Sequence, residues 1–182
     1  MIRAAYWAKM RGTGTASPPR VSNTEILWSW VGAFFGIGAC GLMTQYMLAG
    51  TDMTLMIGSF GASAVLAYGA VRSPLAQPRN LVGGHVVSAL VGVTVWHLFQ
   101  HTPWVAEAVA VATAIALMHA TRTLHPPGGA TALIAVIGSS KIHALGYLYV
   151  LIPATVGPVL LLLVALVVNN IPATRRYPEA WF

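Results

Sequence analysis

The residues best suited to chemistry lie in His125-Pro126-Pro127-Gly128-Gly129-Ala130-Thr131-Ala132-Leu133. Paired prolines and paired glycines do not belong in an ordinary helix interior, because proline removes a backbone donor and clashes with the preceding turn. Proline at a first helical position is well tolerated. The pattern predicts an extended entry over Pro126 to Gly129 and a short helix beginning near Ala130. The same device occurs upstream, within Ile57 to Gly69: Gly61-Ala62-Ser63-Ala64-Val65-Leu66-Ala67 aligns without gaps on Gly129-Ala130-Thr131-Ala132-Leu133-Ile134-Ala135.

A helix start presents N–H groups without internal partners and a partial positive charge. Two such starts facing each other make an anion site that uses no buried cation. The candidate binding residues are Ser59, Phe60, Gly61, Ala62 and Ser63 in the first copy, and Pro127, Gly128, Gly129, Ala130 and Thr131 in the second. Ser63 and Thr131 occupy equivalent positions and could add hydroxyl donors, while the glycines leave the backbone open to an ion. The absence of a fixed lysine also fits, since conduction needs binding weak enough for release. A plainer reading stands beside this one: small residues and Ser/Thr in membrane helices commonly form packing surfaces.

Further candidates surround the motifs. His85 follows Gly83-Gly84, and His119 and His125 bracket Arg122, so each could gate the path or relay protons. A histidine simply hydrogen-bonded to neighbouring helices is the competing reading. Arg72 and Arg79 could draw anions into a cytoplasmic vestibule or serve only to orient the chain. No metal ligand set and no cofactor is expected: a metal enzyme built on His85, His119 and His125 would lack carboxylate partners, because Glu107 sits at the opposite end of its segment from His119.

The elements that must position these residues are membrane spans. Hydrophobic residues make up 57% of the chain and charged residues 8%, too few to cover a soluble exterior. The basic residues fall in tails and loops beside apolar runs, which argues for orientation in a membrane and against nucleic acid. A lone Cys40 inside an apolar run excludes a disulfide framework. Met1 to Glu25 reads as a basic cytoplasmic tail of little fixed structure. A transmembrane domain covers 26–169, and 170–182 is a second cytoplasmic tail. Ile26 to Leu48, Val82 to Phe99, Trp104 to Thr121 and Leu145 to Val168 are each near the roughly 20 residues that cross a bilayer, the last kinked by Pro153 and Pro158. Gly32, Gly36 and Gly38 give the first span a small-residue face for internal packing or self-association into a homo-oligomer.

Crossing number turns on the two short motifs. If both cross, Arg72, Arg79, Arg122, Arg175, Arg176 and the four basic residues of the first tail share the cytoplasmic side, and only Lys141 lies outside. If neither crosses, Arg72, Arg79, Arg122 and Lys141 all fall outside. The positive-inside bias favours six crossings. The expected fold is therefore an all-α membrane protein with two inverted repeats of three segments, 26–100 and 101–169, whose short broken helices meet head to head near the midplane.

His125-Pro126-Pro127 with Gly128-Gly129-Ala130-Thr131-Ala132 resembles the signature of the HPP family of integral membrane proteins. Ile57 to Ala64, Ser73-Pro74-Leu75-Ala76-Gln77-Pro78-Arg79-Asn80, Gly83-Gly84-His85, Asn169-Asn170 and Tyr177-Pro178 are similar to the rest of its pattern, over roughly residues 25 to 180. The resemblance implies a small multi-span helical domain, often described with four spans. Plant and cyanobacterial members are associated with nitrite transport, which implies a small monovalent anion as the partner here: nitrite first, then nitrate or others. Without a transit peptide, a bacterial inner membrane with both termini cytoplasmic is the expected location. The alternatives are a non-transporting membrane sensor or partner protein and, behind it, the histidine-metal enzyme.

Overall fold

A computed structural model of the chain describes residues 2–10, 17–47 and 54–182. Residues 48–53, which include Asp52 of the expected first connection, lie outside the described residues. The described chain is all-helical. Helix α1 (Ile2–Lys9) occupies part of the basic tail that composition suggested would lack fixed structure. It is followed by α2 (Asn23–Met47), α3 (Thr54–Ala64), α4 (Pro78–Phe99), α5 (Pro103–Ala120), α6 (Pro126–Ile137), and the run of α7 (Ser140–Ala144), α8 (Leu148–Leu151) and α9 (Val156–Val168).

Among the described residues, four helical segments are long and apolar enough to cross a membrane: Asn23–Tyr46, Pro78–Phe99, Pro103–Ala120 and Leu148–Val168. The last is interrupted at residues 152–155, beside Pro153, as two prolines in one span should cause. Helix α6 is shorter and apolar. At 12 residues it rises about 18 Å, less than the hydrocarbon thickness.

Both motif helices start elsewhere than expected. Helix α3 runs unbroken through Gly58 and Gly61 and instead widens into a π-turn over Val65–Gly69. A glycine inside a helix costs only about 1 kcal/mol, and no proline occurs between Thr54 and Val71 to stop the helix. Helix α6 begins at Pro126, not near Ala130, with His125 extended before it (φ −140°, ψ 104°). The two prolines take the first two helical positions, where their fixed φ fits and their missing N–H groups are not needed.

Helix α4 packs chiefly against α6 and α5, and also against α8 and α9. Gly92 on α4 lies so close to Ala132 and Ala135 of α6 that a β-carbon would not fit, and Gly84 likewise abuts His125 and Thr123. Gly128 returns the contact against Ser88 and Gly84. One apolar core gathers Phe60, Tyr68, Leu81, Tyr149 and Leu161; a second, alanine-rich core joins α4, α5 and α6 through Ala106, Ala110, Ala114 and Ala132. The small-residue face of α2 divides: Gly32 and Gly36 receive the Tyr68 ring, whereas nothing stands within 4 Å of a β-carbon placed at Gly38.

The carboxyl-terminal tail folds back onto the bundle. Arg175 Nε donates to Glu25 Oε2 at 2.7 Å, while its other nitrogens donate to Tyr68 O at 3.3 Å, Asn169 Oδ1 at 3.1 Å and Ser29 Oγ at 2.9 Å. Asn169 Nδ2 donates to Ala67 O at 2.9 Å. Carbonyls displaced by the π-turn thus find side-chain donors, as buried backbone groups require.

Candidate functional site

The two motifs meet, but through their faces. Ser59 Oγ donates to Pro127 O at 2.9 Å and lies 2.8 Å from Thr131 Oγ1. Ser59 and Pro127 each stand two residues before the aligned glycines Gly61 and Gly129, so corresponding points of the two copies touch. The expected head-to-head meeting of amino termini is not present. Ser59 is five residues inside α3, roughly 7 Å along its axis from the helix start. The start of α6 also offers few amides. Pro126 and Pro127 have no N–H, and the Gly128 N–H donates to His125 O at 2.8 Å. Tandem proline therefore removes the very donors on which an amide-lined anion site depends.

What the contact creates is a buried side-chain cluster. Ser59, Ser63, His85, Ser88, His125 and Thr131 are all buried. Ser63 Oγ lies 2.8 Å from His85 Nε2 and 2.9 Å from His125 Nε2, bridging the two rings. His85 Nδ1 lies 2.7 Å from Thr131 Oγ1, and His125 Nδ1 lies 2.8 Å from Leu75 O. The imidazole centroids are 5.2 Å apart, and Phe60 covers His85 edge-on at 5.8 Å. Tyr149 OH donates to Thr131 O at 2.8 Å, which adds a residue from α8 that was not among the sequence candidates. A phenol inside the Leu145 to Val168 run was its visible signal, since a buried tyrosine hydroxyl seeks a partner.

Local sequence explains the placement. Gly84 has no side chain, so His125 can pack against α4 directly beside His85. Asn80 Nδ2 donates to Leu124 O at 2.9 Å and fixes the residue preceding His125. Ser59 and Ser63 are one helical turn apart and face the cluster together, with Ser63 Oγ also 3.2 Å from Ser59 O.

The remaining candidates divide. Phe60 and Pro127 are at the cluster. Gly128 is a packing contact against Ser88, not an opening for an ion. Ala62 is exposed, and no atom lies within 4 Å of a β-carbon built at Gly61. Gly129 and Ala130 line an outward apolar groove with Val111, Ile115 and His119. His119 is thus not joined to His85 and His125, and the three do not form the cluster that a metal centre would need. Arg79 Nη2 donates to Thr121 O at 2.8 Å at the end of α5, and Arg72 Nη2 donates to Thr174 O at 3.2 Å. Both still border cavities at this end of the bundle: one of about 270 Å³ lined by Arg79, Asn80 and Arg122, another of about 450 Å³ lined by Arg72, Arg175 and Arg176. Tyr177, whose hydroxyl donates to Ala76 O at 2.7 Å, closes the loop between them, and burial pushes its phenol up from the usual range.

Comparison with known proteins places this arrangement in a family. The model of the HPP transmembrane region matches residues 18–178. The chain belongs to the HPP transmembrane family. Two transmembrane proteins of Dictyostelium discoideum are similar to it, one 45% identical over 180 residues and the other 42% identical over 181, each covering 97% of this chain. The chain spans 57% and 63% of the length of these two relatives. No solved structure matches it. The HPP tripeptide thus supplies one cluster imidazole, His125, and two prolines that set the start of α6.

Proposed function

We propose that this HPP protein moves a small monovalent anion, with nitrite as the first candidate, across its membrane, and that the Ser59–Thr131 contact is the centre of the path. The observation that supports the reading is a buried cluster of hydroxyls and imidazoles where two copies of one motif touch, flanked by the two apolar cores. Polar groups at such depth in a membrane helix bundle mark substrate and ion pathways. Short segments at matching places in two halves point the same way, so the six-crossing inverted repeat belongs to this proposal. Nitrite is planar, carries one delocalised charge and accepts hydrogen bonds at both oxygens. Ser59, Ser63 and Thr131 hydroxyls with imidazole N–H groups would hold it without a cation, loosely enough to let it go.

The arrangement described is a closed one. Every buried side-chain nitrogen and oxygen among the described residues has a hydrogen-bond partner, so an ion must replace bonds such as Ser59 to Thr131 as it passes. Arginines at one end of the bundle would concentrate anions at its mouth. A bacterial inner membrane with cytoplasmic termini is part of the same proposal, and the Dictyostelium relatives lend it no support. The same complete hydrogen bonding favours a second reading, in which the duplicated core is scaffold for a membrane partner or sensor. Uptake of nitrite by proteoliposomes separates the two. Transport predicts flux above protein-free vesicles, reduced roughly tenfold or more by Ser59→Ala with Thr131→Val, since two hydrogen bonds of about 1 kcal/mol are lost. No flux in the unaltered protein would leave the scaffold reading standing.

A further inference from the structure

We propose that Ser59, Thr131, His85, Ser63 and His125 form a proton relay, polarised by the Leu75 carbonyl, which conducts protons beside the anion path whether or not an anion is present. This deepens the transport reading and rests on it for the anion, though the relay itself has a separate test.

The direction follows from donors and acceptors alone. A carbonyl oxygen only accepts, so His125 Nδ1, 2.8 Å from Leu75 O, must carry a hydrogen. No carboxylate hydrogen-bonds to either ring among the described residues, and an unpaired charge there would be costly, so each ring is neutral at rest. His125 Nε2 is then bare, and the Ser63 hydroxyl donates to it. Having spent its one hydrogen, Ser63 Oγ must accept from His85 Nε2. That leaves His85 Nδ1 bare and makes Thr131 its donor. Thr131 Oγ1 in turn accepts from Ser59, whose hydroxyl is shared with Pro127 O. One carbonyl outside the cluster therefore orients five groups head to tail.

Proton bookkeeping closes on this chain. A proton arriving at Ser59 Oγ displaces the Ser59 hydrogen to Thr131 Oγ1, the Thr131 hydrogen to His85 Nδ1, the His85 Nε2 hydrogen to Ser63 Oγ and the Ser63 hydrogen to His125 Nε2. In this proposal the His125 Nδ1 hydrogen is released to bulk solvent once its bond to Leu75 O breaks, the loop there being half-buried. One proton enters, one departs, and no group stays charged. Afterwards a bare His125 Nδ1 faces Leu75 O, lone pair against lone pair, which penalises the reversed chain and favours return to the starting orientation by rotation of hydroxyls and rings. Around the cluster, α3 contributes Ser59 and Ser63, α4 His85 and Ser88, α5 Met118, α6 Thr131, and α8 Tyr149. Arg72 and Arg79, which flank the Leu75 loop in sequence, donate to Thr174 O and Thr121 O and not to the cluster.

The experiment uses the purified full chain in liposomes containing an entrapped pH dye. A potassium diffusion potential set by valinomycin drives protons without any anion substrate. The unaltered protein should take up protons faster than empty vesicles and more slowly in D2O than in H2O. Ser63→Ala, which parts the two imidazoles, should lower the rate at least about tenfold, and Thr131→Val, nearly isosteric, should do the same if Ser63→Ala proves unstable. Proton uptake no faster than in empty vesicles, or unchanged in both variants, overturns the relay. With a nitrite gradient in place, internal pH and nitrite are followed together. Nitrite flux without proton movement overturns the relay and leaves transport intact, whereas proton uptake under valinomycin without nitrite flux supports the relay and removes nitrite as substrate.

Discussion

Arg175 Nε lies 2.7 Å from Glu25 Oε2, joining residues 150 positions apart and tying the start of α2 to the tail that follows α9. The arginine side chain is 4% exposed and the glutamate 29%. Loss of the glutamate leaves a buried guanidinium still held by Tyr68 O, Asn169 and Ser29, whereas loss of the arginine strips donors from all of them. Arg175→Ala should therefore cost about 3 kcal/mol and Glu25→Gln only about 1 kcal/mol. Thermal unfolding in detergent measures both, and equal small losses would show the tail to be a loose appendage.

Glycines on α2 that look alike in sequence should behave in opposite ways. A methyl group at Gly36 would enter the Tyr68 ring, while one at Gly38 meets nothing. Gly36→Ala should lower stability by about 1–3 kcal/mol. Gly38→Ala should be neutral or raise it by up to about 1 kcal/mol, the usual difference inside a helix. A destabilising Gly38→Ala would mean that this face contacts a second copy of the chain, readable as a change in oligomer mass.

The sequence made some of this legible and hid the rest for identifiable reasons. Long apolar runs with almost no charge announced α2, α4, α5 and the interrupted 148–168 span, because a bilayer demands that length. Duplication of the motif announced that its copies meet, and Ser59, Phe60, Ser63, His85, His125 and Thr131 do converge. The chemistry of the meeting was misread because Pro126 and Pro127 were assigned to an extended entry, when as first helical residues they cancel the free amides. Tyr149 and the Leu75 carbonyl lie outside the motifs: the first shows in the sequence only as a phenol in an apolar run, and the second is a backbone group that any residue could supply.

His119 provides a control for the cluster. It is exposed on α5 and borders the outer groove, so His119→Gln should leave nitrite flux and unfolding temperature unchanged. His85→Gln, by contrast, removes a ring that bonds both Ser63 and Thr131 and should abolish flux. Equal losses from the two substitutions would place the path along the groove and away from the buried pair.

Topology is decided by two exposed positions on opposite sides of α6. With six crossings, Arg72 faces the cytoplasm and Ser140, just past α6, faces outward. With four, α3 and α6 do not cross and both residues lie outside. Cys40 is buried and its Sγ lies 3.7 Å from Gly157 O, so Cys40→Ala gives a background with no thiol. Single Arg72→Cys and Ser140→Cys variants in intact cells should then differ: a membrane-impermeant maleimide should label the second and spare the first until the membrane is opened. Labelling of both in intact cells would return α3 and α6 to one side of the bilayer, and the Ser59–Thr131 contact could not then lie at the middle of a path through it.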